Sequence, residues 1–163
     1  MFIGDFEQRV VAYCAGFDDE LAARMEYYLP KLKRVTVPAQ ITEGHVKSMN
    51  SLIDDLYTEV VFDYTAVKDA LEDVKRKIEV VLKANYKGPN ERARMGAAIE
   101  AAKNFRIGVK EDGNPEYVNL FEIETRLRRR FLFLDAILKI LQQKSDRLLS
   151  DLAVLKIESN LRS

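Results

Sequence analysis

The sequence predicts an all-α fold, a long antiparallel coiled-coil helical hairpin, and three observations carry that reading. Val46, Ile53, Val60, Val67, Val74 and Val81 recur every seven residues, and so do Leu120, Leu127, Leu134, Leu141, Leu148 and Leu155. A straight α-helix drifts by about 20° per heptad, so rows held this long imply helices that wind left-handedly around a partner. The rows are equal in length, one β-branched and one all leucine, which suggests that they pack on each other. Charged residues reach 32% and aromatics 9%, a balance usual for long solvated helices.

The first helix is expected from Asp5, as N-cap, to about Leu29, with Gly16 as a bend and Pro30 as its end. Phe6, Val10, Phe17, Leu21, Met25 and Tyr28 give it one apolar face. Residues 31–41 alternate loosely around Val35 and Val37 and read as an extended crossing segment, with Pro38 arguing against a paired strand. The second helix runs from near Thr42 to about Tyr86, about 65 Å at 1.5 Å per residue. Its second apolar row is Tyr57, Tyr64, Leu71 and Ile78, as expected for more than one neighbour.

Lys87-Gly88-Pro89-Asn90 stops that helix, and Asn90 caps a short alanine-rich third helix, ERARMGAAIEAAKNF. Two short alternating stretches, RIGV and EYV, flank Asp112-Gly113 and predict a small hairpin. Asn119 caps the last helix, which is expected to reach about Ser159 with a second apolar row of Ile123, Phe131, Leu138 and Leu152. Leu132, Phe133, Ile140, Leu149, Val154 and Ile157 fall outside both rows. The first helix is expected to bury some of these, as a three-helix bundle along part of the hairpin. The remainder form a patch that points to self-association into a homo-oligomer. The organisation expected is one elongated helical domain over 1–163, with an N-terminal part at 1–41 and a hairpin at 42–159 whose tip is 87–118.

At 163 residues, with 26 basic against 26 acidic side chains, no overall charge points to nucleic acid or membrane. Cys14 is the single cysteine, which excludes an internal disulfide framework and suits a reducing compartment. No signal peptide is evident at the start, and no apolar run approaches a membrane span. The location expected is cytoplasmic.

Charge is nevertheless uneven. Residues 43–74 carry eight acidic against two basic residues, a net −6, and residues 75–110 carry ten basic against three acidic, a net +7. In an antiparallel hairpin Arg126, Arg128, Arg129 and Arg130 join the basic end, giving a rod with one basic tip. Tyr86, Phe105 and Tyr117 are interleaved there. Cations that follow phosphates, mixed with rings on which bases stack, suit single-stranded nucleic acid. Against this stands a structural reading, in which Lys and Arg solvate a helix junction while the rings pack inward.

Catalytic chemistry has little to build on. His45 is the single histidine, where a triad needs one as its base, and no Glu-x-x-His pair is present for a di-iron centre. Glu122 and Glu124 point to different helix faces and suit a helix start. The isolated glycines make no phosphate-cradling loop, and Cys14 reads as a small core residue. The protein is expected to be neither an enzyme nor a carrier of any cofactor.

Leu82-Lys83-Ala84-Asn85-Tyr86-Lys87-Gly88 resembles the basic stretch, with Lys and Ala before Tyr and Gly at a helix end, of the UvsY-like recombination mediators of tailed phages. Over residues 43–160 the order of elements is also similar. The resemblance implies a small helical protein that binds single-stranded DNA, assembles into rings and helps load a recombinase onto strands covered by single-strand-binding protein. The helix NLFEIETRLRRRFLFLDAILKIL corresponds to the assembly element. This chain has one tyrosine where the family tends to have two, and its first helix has no counterpart there. The candidate DNA contacts are Lys83, Tyr86, Lys87, Arg92 and Arg94, acting in the host cytoplasm if the chain is phage-encoded. The alternative is a structural or adaptor coiled-coil protein, such as a phage assembly component, that docks another protein and binds no nucleic acid.

Overall fold

The computed structural model describes residues 4–15 and 17–162, and only the backbone for 17–20. The chain is mostly all-α. Its elements are α1 (Asp5–Cys14), α2 (Phe17–Arg34), α3 (Glu43–Ala84), α4 (Glu91–Lys103), β1 (Phe105–Val109), β2 (Pro115–Val118) and α5 (Leu120–Arg162). They divide into two compact units, residues 1–20 with 66–130 and residues 21–65 with 131–163, so that α3 and α5 each serve both. No described helix is long and apolar enough to cross a membrane.

The heptad rows form the core of each unit. All six residues of the Val46–Val81 row are buried, as are Leu120, Leu127, Leu134, Leu141 and Leu148; only Leu155 is half-buried. Side chains of this size contribute about 1.5–3 kcal/mol each when fully buried. In the second unit the helices run antiparallel. The Tyr64 and Phe131 rings lie 5.0 Å apart, and at the other end Ile41 and Glu43 share a cavity of about 510 Å³ with Leu152 and Leu155.

The second apolar rows differ from expectation. On α3, Leu71 and Ile78 are buried, but Tyr57 is 40% exposed and its place is taken by Leu56. On α5, Ile123 is followed by Arg130 and Ile137, each three residues after a core leucine. Three residues are 300° of helix, so this row lies about 60° from the leucines and shares their groove. Arg130 therefore belongs to the core and not to a basic surface, with its Nη2 itself buried.

The N-terminal region is two helices, not one. α1 ends at Cys14 with Ala15 extended, at φ −60° and ψ 120°. The bend expected at Gly16 and the burial expected for Phe17 fall outside the described residues. Gly4 occupies the N-cap of α1 and makes no side-chain cap; Asp5 sits in the first turn, where its charge still favours the helix dipole. Pro30 does not end α2, which continues through Lys31-Leu32-Lys33 to Arg34. Pro30 is exposed, so the hydrogen bond it removes lies on the solvent side. Buried Tyr28 and Val35 bracket it and hold the helix. The extended segment is therefore shorter than 31–41. Lys144 donates to the Val35 carbonyl and ties it to α5.

α1 and α2 are fastened to α3 by carboxylates. In the first unit Asp73 accepts from Arg9 Nε at 2.8 Å, from Arg9 Nη2 at 3.0 Å and from the Tyr13 hydroxyl at 2.9 Å. In the second, Asp63 meets Arg24 and accepts from the Tyr28 hydroxyl, while Glu59 accepts from Tyr27 at 2.8 Å and Lys31 at 3.0 Å. Three of the eight acidic residues in 43–74 thus serve as attachment points for α1 and α2.

Candidate nucleic-acid interface

The corner between α3 and α4 is shaped by one glycine and one asparagine. Gly88 has φ +157°, and a Cβ there would come within 3.1 Å of the Arg94 backbone nitrogen. Only glycine lets the chain turn this closely. Asn90 then caps α4 by accepting from the Ala93 amide at 2.9 Å. Ala98 and Ala102 are buried, so the slim face of α4 is its packed one. Met95 is the large exception on that helix and stands 48% exposed.

Around this corner Leu82 and Lys83 of α3, Tyr86 just beyond its end, and Met95 and Ala98 of α4 line an open groove of about 310 Å³. The Tyr86 ring is 40% exposed, and the Arg94 guanidinium lies 5.8 Å from its centroid. Arg94 is half-buried, and its Nε is buried without a hydrogen-bond partner. Lys83, Lys87 and Arg92 are exposed. Lys83, Tyr86 and Arg94 are thus brought together. Lys87 and Arg92 lie in the same turn and first helical residues without a described contact to the ring.

The other basic and aromatic residues separate into two kinds. Phe105 packs inward, 5.8 Å from the Phe6 ring and nearly perpendicular to it, and Lys77 lies over both rings. It is no stacking surface. Tyr117, in β2, is 54% exposed. Arg126 pairs with Glu122 at 2.7 Å and Arg128 with Glu124, so these two are partly neutralised by their own helix. Arg129 remains exposed. The β1–β2 hairpin closes through Lys110 and Asn114, with Gly113 at φ +83° in the left-handed position of its three-residue loop.

A second cavity of about 310 Å³ is lined by Cys14, Tyr117, Asn119, Glu122, Ile123 and Arg126. Burial pushes the Cys14 thiol up, while Arg126 and Arg130 pull the other way. A raised thiol is a poor nucleophile, in keeping with a packing role. His45 is exposed, and its backbone amide donates to the Thr42 hydroxyl at 3.3 Å, a helix-start contact. Among the described residues no group of three His, Cys, Asp or Glu could hold a metal ion.

On α5 the predicted assembly residues lie largely open. Leu132 is 57%, Leu149 58%, Val154 54% and Ile157 60% exposed; Ile140 is less so and Phe133 is half-buried. Sequence reading missed Met95 as a groove wall and Leu161 as a further exposed residue. Met95 precedes Ala98 by three residues and Ala102 by seven, a one-face helical spacing that is the signal marking it. The chain matches no protein-family model, and no curated protein or solved structure matches it.

Proposed function

We propose that this protein is a non-enzymatic accessory factor that binds single-stranded DNA at the α3–α4 corner and self-assembles through α5. The observation that carries the reading is the groove beside Tyr86. A part-exposed tyrosine with a guanidinium over its ring, an apolar wall of Leu82 and Met95, and Lys83 at the rim match what a base and its phosphate need. The resemblance to recombination mediators of the UvsY type rests on the same segment and agrees with it. A recombinase or a single-strand-binding protein is then the natural protein partner.

Fluorescence anisotropy with a labelled single-stranded oligonucleotide at two salt concentrations tests the DNA half. Affinity should fall with salt by a log–log slope of about −0.7 per phosphate neutralised. Replacing Lys83, Lys87, Arg92 and Arg94 with alanine should weaken binding to all sequences and flatten that slope. Tyr86→Ala should weaken binding by about 1–3 kcal/mol with the slope nearly unchanged. It should leave the melting temperature in place, since the ring is 40% exposed. A melting loss without an affinity loss would make Tyr86 a packing residue.

The exposed apolar residues of α5 favour a second reading, a structural or adaptor protein that docks another protein and binds no nucleic acid. Absence of DNA binding even at low salt would leave that reading standing alone.

A further inference from the structure

The exposed face of α5 carries a second heptad pattern. Phe133, Ile140, Arg147, Val154 and Leu161 recur every seven residues, each but Leu161 one residue before a leucine of the core row. Three residues after them come Ala136, Gln143, Ser150 and Ile157. Apart from half-buried Phe133, all of these are exposed. The helix already holds one heptad row in its core. A second row of the same period follows the same supercoil without drifting round the helix. It lies one residue, about 100°, from the leucines and about 40° beyond the Ile123–Ile137 row at the edge of the core.

Resting on the assembly half of the reading above, we infer that this face is a seam for α5 of a second copy of the chain, running antiparallel about a two-fold axis between Arg147 and Ser150. The register follows from size and charge. Centred there, Ile140 meets the partner's Ile157, Leu161 meets the partner's Ala136, and Arg147, the one charged residue of the seam, meets the partner's Ser150. On the flank, Lys144 lies opposite the partner's Asp151, twice by symmetry. Lys144 gives one proton to the Val35 carbonyl and keeps two for this contact.

A parallel pairing reverses the electrostatics. It sets Lys139 beside the partner's Lys144 and Asp146 beside the partner's Asp151, four like-charge contacts. Sliding the antiparallel helices by one heptad puts Asp151 on the partner's Asp151, or Lys144 on the partner's Lys144. The opposite orientation at this register is the one free of such contacts. A two-fold seam is also closed, so it yields a dimer and not a filament.

The test uses the full chain carrying Cys14→Ser, with Ile140→Cys and Ile157→Cys made separately. Positions 140 and 157 are about 26 Å apart along one helix, so neither variant should crosslink to itself. Mixing the two should give a disulfide-linked dimer. Crosslinking of Ile140→Cys to itself would establish a parallel seam and overturn the proposal while assembly stands. Sedimentation supplies the second arm. Ile157→Asp, on an exposed residue, should keep its helical circular dichroism and shift the wild-type dimer to monomer. Asp151→Lys should weaken the dimer at least tenfold, and Asp146→Lys, opposite the partner's Ala153, should leave it unchanged. An oligomer that survives Ile157→Asp would place assembly on another surface and overturn the seam alone. A wild-type monomer at micromolar concentration would remove both the seam and the assembly reading, leaving the DNA reading to its own titration.

Discussion

α1 and α2 are held to α3 by the same device used with different emphasis. Each helix presents an arginine and a tyrosine four residues apart, Arg9 with Tyr13 and Arg24 with Tyr28, and each pair converges on one aspartate, Asp73 or Asp63. A spacing of four puts both side chains on one helix face. In the α1 attachment the acid is the sheltered member, with Asp73 at 22% side-chain exposure against 47% for Arg9. In the α2 attachment the order is reversed, with Asp63 at 38% against 21% for Arg24, and the Tyr28 ring is 2% exposed. One clamp is centred on a charge, the other on a buried ring. The same hydrogen bonds should therefore respond to different insults.

Burial also shows in the tyrosines. Burial first, and Asp63 second, push the Tyr28 phenol far above its ordinary range; burial first, and Asp73 second, raise Tyr13 against the opposing pull of Arg9. Asp73 is held below the usual carboxylate range chiefly by its hydrogen bond from Arg9, then by Tyr13.

The largest effect expected is at the ring. Tyr28→Ala should destabilise the protein by about 3–5 kcal/mol, as for other buried aromatics truncated to alanine, and Tyr13→Ala by clearly less. Urea unfolding of both variants checks the order, and equal losses would erase the distinction between the two clamps.

Acid is the sharper probe of the α1 clamp. A carboxylate whose folded pKa is depressed contributes stability that is fully present above its unfolded value, about 3.9, and is lost as pH falls through the folded value. Asp73→Asn should cost stability at pH 7, and its difference from wild type should shrink steadily below about pH 4. Urea midpoints across pH 7 to 2.5 measure this. A difference that stays constant to the lowest pH would mean that Asp73 acts by packing and not by charge.

The smallest effect is expected at Glu59. Tyr27 first, and Lys31 second, lower its pKa, but the pair is open to solvent. Glu59→Gln should shift the midpoint only slightly at low salt and not at all at 0.5 M salt, because exposed pairs are screened. A salt-independent loss would make this a third structural clamp.

The candidate interface was legible where the chain itself writes the geometry. Gly88 and Asn90 act through backbone conformation and capping within a few residues, so the α3–α4 corner and the placing of Lys83, Tyr86 and Arg94 around it could be read locally. Phe105 could not be sorted from Tyr86 in the same way. Both are rings among basic residues, and only the approach of Phe6, about 100 positions earlier, turns one of them inward.

The long helices and their heptad cores follow from local sequence alone. The heptad rows of α3 and α5, the stop at Gly88, the caps at Asn90 and Asn119 and the turn at Gly113 all depend on neighbours within one or two helical turns. Long-range packing settles the rest. It carried α2 through Pro30, drew Arg130 into the core and put Glu59, Asp63 and Asp73 of α3 to holding α1 and α2. Each of these depends on which distant side chain arrives, and the free energy of burial or of a shared carboxylate outweighs the local preference there.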